Sequence, residues 1–407
     1  MKASMKVELA DIQKARELLK GLVKCTETSH SLSASQLMGS EIFFKFENTQ
    51  RTGSFKIRGA FNKIKNLTDE EKKRGVVASS AGNHAQGVAL SASLAKVKST
   101  IVMPETAPLN KIAATRAYGA EIVLRGEIYD DAYAYARTLE KEKGLVFVHP
   151  FEDPRVIAGQ GTIGLEILDQ VPEVDTLVVP VGGGGLISGI SLAIKALRPQ
   201  CRIIGVQSDQ TPGMAQLFAH QSAQAMTKKR ISTIADGIAV KNPSSLMYEN
   251  FISKHVDEIV TVSDDEIAEA IVYLMERVKT VTEGSGAAAW AAVMNHKVKL
   301  GQKNCVFLSG GNIDLNIISK VIERGQIKRG RLVQLSVITE DLPGSLNRLT
   351  QAIATEKANV LEVHHDRVTR GLSLRETRID FVLETTSPDH VEKIKKALVE
   401  AGARFLV

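Results

Sequence analysis

The feature that most constrains the fold is a repeated alternation of short apolar segments with segments of helical spacing. Segments typical of strands lie at residues 42–46, 75–79, 99–103, 121–124, 176–181, 202–206 and 306–308. Segments typical of helices lie at 8–22, 59–64, 86–95, 111–118, 130–142 and 186–197. Strands that alternate with helices form parallel sheets covered by helices on both faces. We therefore expect an α/β fold of two parallel-sheet lobes, with a ligand at the carboxyl ends of the strands.

Residues 331–407 follow a different pattern. Strands are predicted at 332–338, 360–365, 379–384 and 404–407, and helices at 346–356 and 390–400. This order, βαββαβ, is that of a ferredoxin-like unit. We place the boundary between the two regions between residues 325 and 331.

Composition excludes several classes of protein. The chain has 407 residues, 43% of them hydrophobic and 24% charged, with no apolar run long enough to cross a bilayer. The net charge is +6, but basic and acidic residues alternate except at 228–230, so we expect neither nucleic acid nor a membrane as a partner. Cys25, Cys201 and Cys305 lack metal-binding spacing, and we predict no metal site. Residues 1–30 lack a secretory apolar segment, so a cytoplasmic location is expected.

Four short motifs carry residues suited to chemistry at strand ends. They are Ser54-Phe55-Lys56-Ile57-Arg58-Gly59, Ser80-Ala81-Gly82-Asn83-His84, Gly182-Gly183-Gly184-Gly185-Leu186 and Leu308-Ser309-Gly310-Gly311-Asn312. A lysine at the start of a helix can attack a carbonyl or act as a base, although most lysines are solvated surface charges. Four glycines between a strand and a helix can present several N–H groups to a phosphate, whereas four glycines alone would also fit a flexible loop.

With these motifs in this order, essentially the whole chain resembles the threonine dehydratase (threonine ammonia-lyase) family of fold-type II enzymes that use pyridoxal 5′-phosphate (PLP). The resemblance implies that Lys56 binds PLP covalently and then serves as base for the substrate α-proton. The other cofactor contacts that it implies are Phe55 beside the ring, Asn83 at the phenolic oxygen, Ser309 at the pyridine nitrogen, and Gly182, Gly183, Gly184, Gly185 and Leu186 at the phosphate. The substrate-binding residues that it implies are Ser80, Ala81, Gly82, Asn83 and His84.

Several of these residues also have a purely structural interpretation. Phe55 would suit core packing, Asn83 a helix cap and His84 a structural role without proton transfer. Ser309 would suit a turn before two glycines. Glu283, which matches a family acid near the ring edge, would equally suit a helix cap.

The resemblance also implies a domain plan. Residues 1–325 would form the PLP-dependent catalytic domain, with a small lobe at about 49–150 inserted in the large lobe. Residues 331–407 would form an ACT domain, a small regulatory module that often binds amino acids. Its candidate effector contacts are Asp341, Leu342, Gly344 and Ser345, and the alternative is a module that only holds subunits together. A homodimer or homotetramer with an amino-acid or nucleotide effector is expected.

The expected activity is conversion of threonine to 2-oxobutanoate and ammonia, with serine as a second substrate. The rival interpretations are a serine racemase or serine dehydratase, and a PLP-binding amino-acid sensor without turnover. The resemblance implies that racemases carry a serine acid/base where this chain has Ala81, which cannot carry a proton. It also implies a metal-binding carboxylate in eukaryotic racemases where this chain has Gln207, so elimination is favoured here.

Overall fold

The structure is a computed structural model that describes residues 5–221, 232–367 and 372–405. The basic cluster at 228–230 and the end of the predicted strand at 406–407 lie outside the described residues. Contacts divide the chain into two compact units, the first ending at Asp314 and the second beginning at Leu315. The contacts group the helix at Leu315–Lys328 with the second unit. The domain boundary at 325–331 stays a prediction.

The first unit alternates strands and helices. Its strands are β1 (Thr28–His30), β2 (Glu41–Phe46), β3 (Val76–Ser79), β4 (Ser99–Met103), β5 (Glu121–Leu124), β6 (Val146–Phe147), β7 (Thr176–Pro180), β8 (Arg202–Ser208), β9 (Glu258–Val262) and β10 (Lys303–Leu308). Its helices are α1 (Leu9–Leu19), α2 (Leu32–Met38), α3 (Lys56–Lys65), α4 (Asp69–Arg74), α5 (Asn83–Ala95), α6 (Leu109–Ala117), α7 (Tyr129–Lys143), α8 (Pro154–Gln170), α9 (Gly185–Leu197), α10 (Gly213–Phe218), α11 (Ser245–Met247), α12 (Ser253–His255), α13 (Asp264–Tyr273) and α14 (Gly284–Met294). Short 3₁₀ turns lie at Glu47–Thr49 and Asp236–Ile238, and π-helical turns at Tyr248–Ile252 and Leu274–Val278.

Two sheets organise these elements. The larger has the order β1-β2-β10-β7-β8-β9, in which β1 pairs antiparallel at the edge and every other pair is parallel. The smaller has the order β5-β4-β3-β6 and is parallel throughout. Because β3 to β6 fall between β2 and β7 in sequence, the smaller lobe is an insertion into the larger one. The two-lobed parallel-sheet fold expected from the sequence is therefore present.

Close helix packing brings two helix N-termini together. A Cβ at Gly159 of α8 would lie 2.6 Å from the Arg58 carbonyl oxygen of α3, and one at Gly189 of α9 would lie 2.3 Å from the Ile157 carbonyl oxygen of α8. Only glycine allows backbones to approach this closely. This packing places α3, α8 and α9 side by side, with the starts of α3 and α9 near the carboxyl ends of the strands.

The second unit has the order α15 (Leu315–Lys328), β11 (Leu332–Glu340), α16 (Ser345–Thr355), β12 (Asn359–Asp366), β13 (Glu376–Glu384), α17 (Pro388–Glu400) and β14 (Arg404–Phe405). Its sheet is antiparallel with the order β12-β13-β11-β14. Side chains such as Val337, Phe381, Leu349 and Leu398 are buried between this sheet and the helices α16 and α17. From β11 onward the predicted βαββαβ order is present.

Among the described helices, none combines the length and the hydropathy that crossing a membrane requires.

Candidate active site

A cavity of about 780 Å³ lies where the strands of the first unit end. Of the residues predicted to bind cofactor or substrate, the cavity is lined by Phe55, Lys56, Ser80, Ala81, Gly82, Asn83, His84, Gly182, Gly183, Gly184, Gly185, Leu186 and Ser309. Glu283 lines it as well. The four sequence motifs thus meet in one place, although more than 250 positions separate Lys56 from Ser309. Asp341, Leu342, Gly344 and Ser345 belong to the second unit.

Lys56 is the first residue of α3 and is fixed by its neighbours. The Phe55 N–H donates to the Ser309 carbonyl at 3.3 Å, and Ser54 forms an antiparallel bridge with Gly310. The Lys56 Nζ donates to the Pro150 carbonyl at 3.2 Å. Loss of water around the amine lowers the pKa of Lys56 to about 8, although the charge of Glu283 opposes this shift. Near neutral pH a useful fraction of this lysine is the neutral amine that a nucleophile or base requires.

The glycine loop between β7 and α9 is shaped to bind an anion. Gly184 has a φ of 94° and caps α9, whose first amide groups have no intrahelical partner. In the part of the chain that the structure describes, the N–H groups of Gly182, Gly183 and Gly184 have no backbone acceptor. A Cβ at Gly183 would lie 2.2 Å from the Phe151 ring. A phosphate therefore fits this loop, since it meets free N–H groups and the positive end of a helix.

A second helix N-terminus faces the same cavity. Gly82 caps α5 without a side-chain hydrogen bond, and a Cβ on Gly82 would meet open space. The Ser80 hydroxyl accepts from the Gly82 N–H at 3.1 Å, so Ser80 supports the turn. This loop can receive a second anion, such as a carboxylate.

Asn83 lies at the centre of a hydrogen-bond chain. Its Nδ2 donates to Glu283 Oε1 at 2.6 Å, and its Oδ1 accepts from Asn312 Nδ2 at 2.6 Å. Asn312 in turn donates to the Thr52 carbonyl at 2.7 Å. Since an amide nitrogen carries two protons, Asn83 keeps one donor for a ligand.

Glu283 is a buried acid. Burial and the charge of Asp236 raise the pKa of Glu283 to about 7, against the opposing effects of Asn83, Lys111 and Lys56. Glu283 therefore exists in both protonation states near neutral pH. Its side chain binds Asn83, whereas a helix cap would bind backbone N–H groups of α14, and no such bond forms among the described residues.

The contacts of His84 favour a structural role over a catalytic one. Its Nε2 hydrogen-bonds the Val148 carbonyl at 2.8 Å, and burial lowers the pKa of His84 to about 3, helped by the charge of Lys56. A neutral histidine fixed to a backbone carbonyl is a structural element. Any substrate contact at this position would come from its backbone.

Ser309 is buried at the end of β10, and its hydroxyl donates to the Ser285 carbonyl at 3.3 Å. Ser79 and Ser285 also line the cavity, and their hydroxyl groups are buried without a hydrogen-bond partner among the described residues. Buried polar atoms without partners are unfavourable unless a ligand satisfies them. The cavity thus has donors for a phosphate and a partly buried amine, with two unpaired serine hydroxyls in its wall, a set that suits PLP.

Sequence reasoning missed several residues of the cavity. Pro150 and Phe151 follow β6, and their position at a strand end was a signal that could have found them. Lys111 forms an ion pair with Asp236 at 3.0 Å. The role of such pairs depends on contacts between the lobes, which the local sequence does not reveal.

Gln207 does not face the cavity. Its Oε1 accepts from the Ala215 N–H at 2.9 Å, so the side chain closes its own loop. Within the described ranges no group of three His, Cys, Asp or Glu side chains could hold a metal ion. The metal-free site stays a prediction.

A parallel-sheet fold that places a partly buried lysine and an anion-binding glycine loop in one cavity is typical of enzymes that bind a phosphorylated carbonyl cofactor. Residues 19–311 match the sequence model described as pyridoxal-phosphate dependent enzyme, and the chain belongs to this family. The expected cofactor, PLP, is confirmed by this match.

Individual proteins of this family are similar to the chain over most of its length. The chain is 48% identical to an L-threonine ammonia-lyase of Thermotoga maritima over 396 residues, covering 97% of this chain and 98% of the relative. A solved structure of threonine deaminase isoform 2 from Solanum lycopersicum is 36% identical with a TM-score of 0.72, covering 78% of this chain and 92% of that one. Maize serine racemase is 35% identical with a TM-score of 0.72, covering 78% of this chain and 98% of that one.

Proposed function

We propose that this protein is a PLP-dependent L-threonine ammonia-lyase that converts threonine to 2-oxobutanoate and ammonia, and serine to pyruvate. The observation that carries the proposal is the meeting of Lys56, the glycine loop and the loop at 80–84 in one cavity. The chain shares 48% identity with a threonine ammonia-lyase over nearly its whole length, which supports the choice of substrate. Serine differs by one methyl group, which a pocket distinguishes by only about 1–3 kcal/mol.

The residues that would hold PLP are those with an unpaired N–H group or a neutral amine. Lys56 would attach to its carbonyl carbon, the amides of Gly182 to Gly185 and the start of α9 would bind its phosphate, and Asn83 would donate to its phenolic oxygen. Phe55 would pack beside the ring. When bound, PLP withdraws electrons from the bonds of the substrate α-carbon.

Side chains of this protein would carry out the proton transfers of the reaction. Lys56, freed when substrate arrives, would take the α-proton through Nζ, which its lowered pKa of about 8 favours. Departure of the β-hydroxyl requires a proton in return. Protonated Lys56 and Glu283, with a pKa of about 7, are groups in this cavity that can carry one near neutral pH.

Two further contacts would favour elimination of water. The loop at 80–84 and the start of α5 would bind the substrate carboxylate and orient the α-proton. Ser309 would face the pyridine nitrogen, and a hydroxyl keeps that nitrogen protonated less well than a carboxylate would. A weaker electron sink favours early loss of the β-hydroxyl.

We further propose that the second unit is an ACT domain that binds an amino-acid effector, and that the chain assembles as a homodimer or homotetramer. The turn that contains Asp341, Leu342, Gly344 and Ser345 precedes α16, and Gly344 caps that helix with a φ of 89°. Asp341 pairs with Arg367 at 3.2 Å, and the Leu342 side chain is exposed. A helix start beside an exposed apolar side chain suits a small amino acid.

The test of the catalytic proposal is the Lys56→Ala variant, assayed for oxo-acid release with threonine and serine. Loss of both the attachment point and the base should lower kcat by at least about 10³-fold. The matched control is Lys65→Ala, at the exposed end of the same helix, which should retain activity within about threefold because Lys65 faces solvent and does not line the cavity. Near-normal turnover by the Lys56 variant would contradict the proposal.

A further inference from the structure

The turn at residues 149–152 contacts both Lys56 and the glycine loop. It joins β6 to α8 and lines the cavity with His149, Pro150 and Phe151. The Pro150 carbonyl accepts from Lys56 Nζ at 3.2 Å. Phe151 packs so closely on the glycine loop that a Cβ at Gly183 or Gly185 would lie 2.2 Å or 2.7 Å from it. A shift of this turn would therefore reach both the lysine and the phosphate-binding amides.

His149 holds the turn in place. Its Nδ1 accepts from the Glu152 N–H at 2.7 Å and from the Phe151 N–H at 3.3 Å. Since backbone N–H groups only donate, Nδ1 is unprotonated and the ring proton lies on Nε2. The neutral form is also favoured electrostatically, because burial lowers the pKa of His149 to about 4 despite the nearby carboxylates of Glu152 and Asp153.

We propose that His149 is a positioning residue for the cofactor, which acts by holding the Pro150 carbonyl against the Lys56 amine and the Phe151 ring against the glycine loop. The proposal rests on the proposed attachment of PLP to Lys56. Without the Nδ1 acceptor, the N–H groups of Phe151 and Glu152 lose their partner and the turn loses its fixed geometry. Both the orientation of the lysine and the spacing of the phosphate-binding amides then become variable.

The rival explanation is that the imidazole only fills space. Its ring lies 4.7 Å from Phe151 at 85°, 6.0 Å from Phe147 and 6.5 Å from Tyr133, measured between centroids. Two substitutions separate these roles. His149→Asn keeps an acceptor, Oδ1, at the same number of bonds from the backbone but removes the ring, whereas His149→Phe keeps a ring and removes the acceptor. His149→Ala removes both.

The experiment compares full-length holoenzymes by two readouts that do not depend on turnover. Equilibrium dialysis measures the PLP that each variant retains, and borohydride reduction followed by peptide mass spectrometry measures the fraction linked to Lys56. We expect His149→Ala and His149→Phe to bind PLP about tenfold more weakly and to show less linkage, as for loss of a buried acceptor, and His149→Asn to stay within about threefold of wild type.

The outcomes distinguish the explanations. A His149→Phe variant like wild type beside impaired His149→Asn would overturn the proposal in favour of packing, and so would wild-type retention by all three variants. If His149→Phe does not fold, His149→Asn against His149→Ala still decides, because these two differ in the acceptor and both lack the ring; equal impairment of the two overturns the proposal. Absence of PLP-linked Lys56 in wild type would instead overturn the proposed attachment itself.

Discussion

At the scale of single residues, burial sets the chemistry of this site. Loss of water lowers the pKa of Lys56 to about 8 and of His84 to about 3, and raises that of Glu283 to about 7. Each shift favours the neutral form of its group. The cavity thus offers a neutral amine and a proton-carrying acid, while the histidine beside them stays uncharged.

The pKa of Lys56 can be measured in cofactor-free protein by competitive acetylation and mass spectrometry, with lysine peptides from the same digest as references. We expect the reactivity of Lys56 to rise with pH around a midpoint near 8. Because the charge of Glu283 raises the Lys56 pKa, Glu283→Gln should move the midpoint to lower pH. His84 and His149 also face the amine and are neutral across this range. A wild-type midpoint near the ordinary value of 10.5 would contradict the assignment.

Ala81 bears on the choice between elimination and racemisation. It lines the cavity, and the neighbouring Ser80 hydroxyl is engaged with the Gly82 N–H. If no proton donor serves the second face of the substrate, the wild-type protein should form little D-serine from L-serine. Ala81→Ser should raise the ratio of D-serine to pyruvate by about tenfold, as for introduction of an acid/base group. Chiral chromatography measures the ratio, and racemisation by wild type as fast as deamination would contradict the proposed function.

At the scale of elements, the lysine-bearing helix is anchored by a buried charge network. Arg58, in the first turn of α3, binds Glu47 at 2.7 Å and Glu166 of α8 at 2.6 Å, and Lys45 of β2 binds Glu166 at 2.8 Å. Burial alone would raise the pKa of Glu47, but the charge and hydrogen bonds of Arg58 outweigh it and the pKa is lowered. Two positive and two negative charges balance, and together they connect α3 to the larger sheet and to α8.

Removal of one partner leaves buried charges without compensation. We expect Arg58→Met to reduce the free energy of unfolding by about 3–5 kcal/mol. The matched control is Arg16→Met, whose partner Asp169 is exposed, with an expected loss of about 0–1 kcal/mol. Urea unfolding followed by the fluorescence of Trp290, the single and fully buried tryptophan of the first unit, measures both. Equal losses in the two variants would show that the network does not anchor the helix.

Local patterns predicted most elements but not the contacts between them. The predicted strands at 99–103 and 121–124 coincide with β4 and β5, because parallel strands with an apolar pattern between helices are clear in sequence. The strand β6 was missed because it spans only Val146–Phe147, and the strands β1 and β9 were missed as well. β1 has only three residues, Thr28–His30, and β9 is mostly half-buried, so neither has a strong apolar run.

The site shows the same limit. Lys56, the glycine loop and Ser309 were predicted as site residues because each stands in a short motif at a strand or helix end, and all of them line the cavity. Phe151 and the Arg58 network were not, since their contacts join residues far apart in sequence. Such contacts follow from packing of α3 against α8 and α9, which no local pattern specifies.

At the scale of the whole molecule, the chain divides into a unit that carries the cavity and a second unit with its own core. Maize serine racemase aligns over 98% of its own length with only 78% of this chain. That share of this chain, about 317 of 407 residues, is close to the length of the first unit, which ends at Asp314. The proposed regulation by the second unit can therefore be tested separately from catalysis.

The decisive comparison is between the full-length protein and a form that ends at Asp314, where the contacts divide the chain. The shorter form contains every residue proposed to bind PLP, so it should retain PLP binding and threonine turnover within about tenfold of the full-length protein. A tenfold loss corresponds to the free energy of one or two hydrogen bonds. An effector that binds the second unit alters activity only if it binds the active and inactive states with different free energies. Titration with isoleucine and valine should therefore change the activity of the full-length protein alone.

A point variant tests the same proposal without removing the second unit. Gly344→Ala strains a residue with a φ of 89° at the start of α16, although its Cβ would meet no neighbour. We expect it to weaken the effector response at least about threefold while basal turnover stays the same, because the cavity lies in the first unit. Gly402→Ala, at another positive φ of the second unit with open space around it, is the matched control and should leave the response intact. A response to isoleucine or valine in the form that ends at Asp314 would place the effector site in the first unit. If calorimetry detects no binding of isoleucine or valine to the full-length protein, assembly is the only proposed role that remains for the second unit.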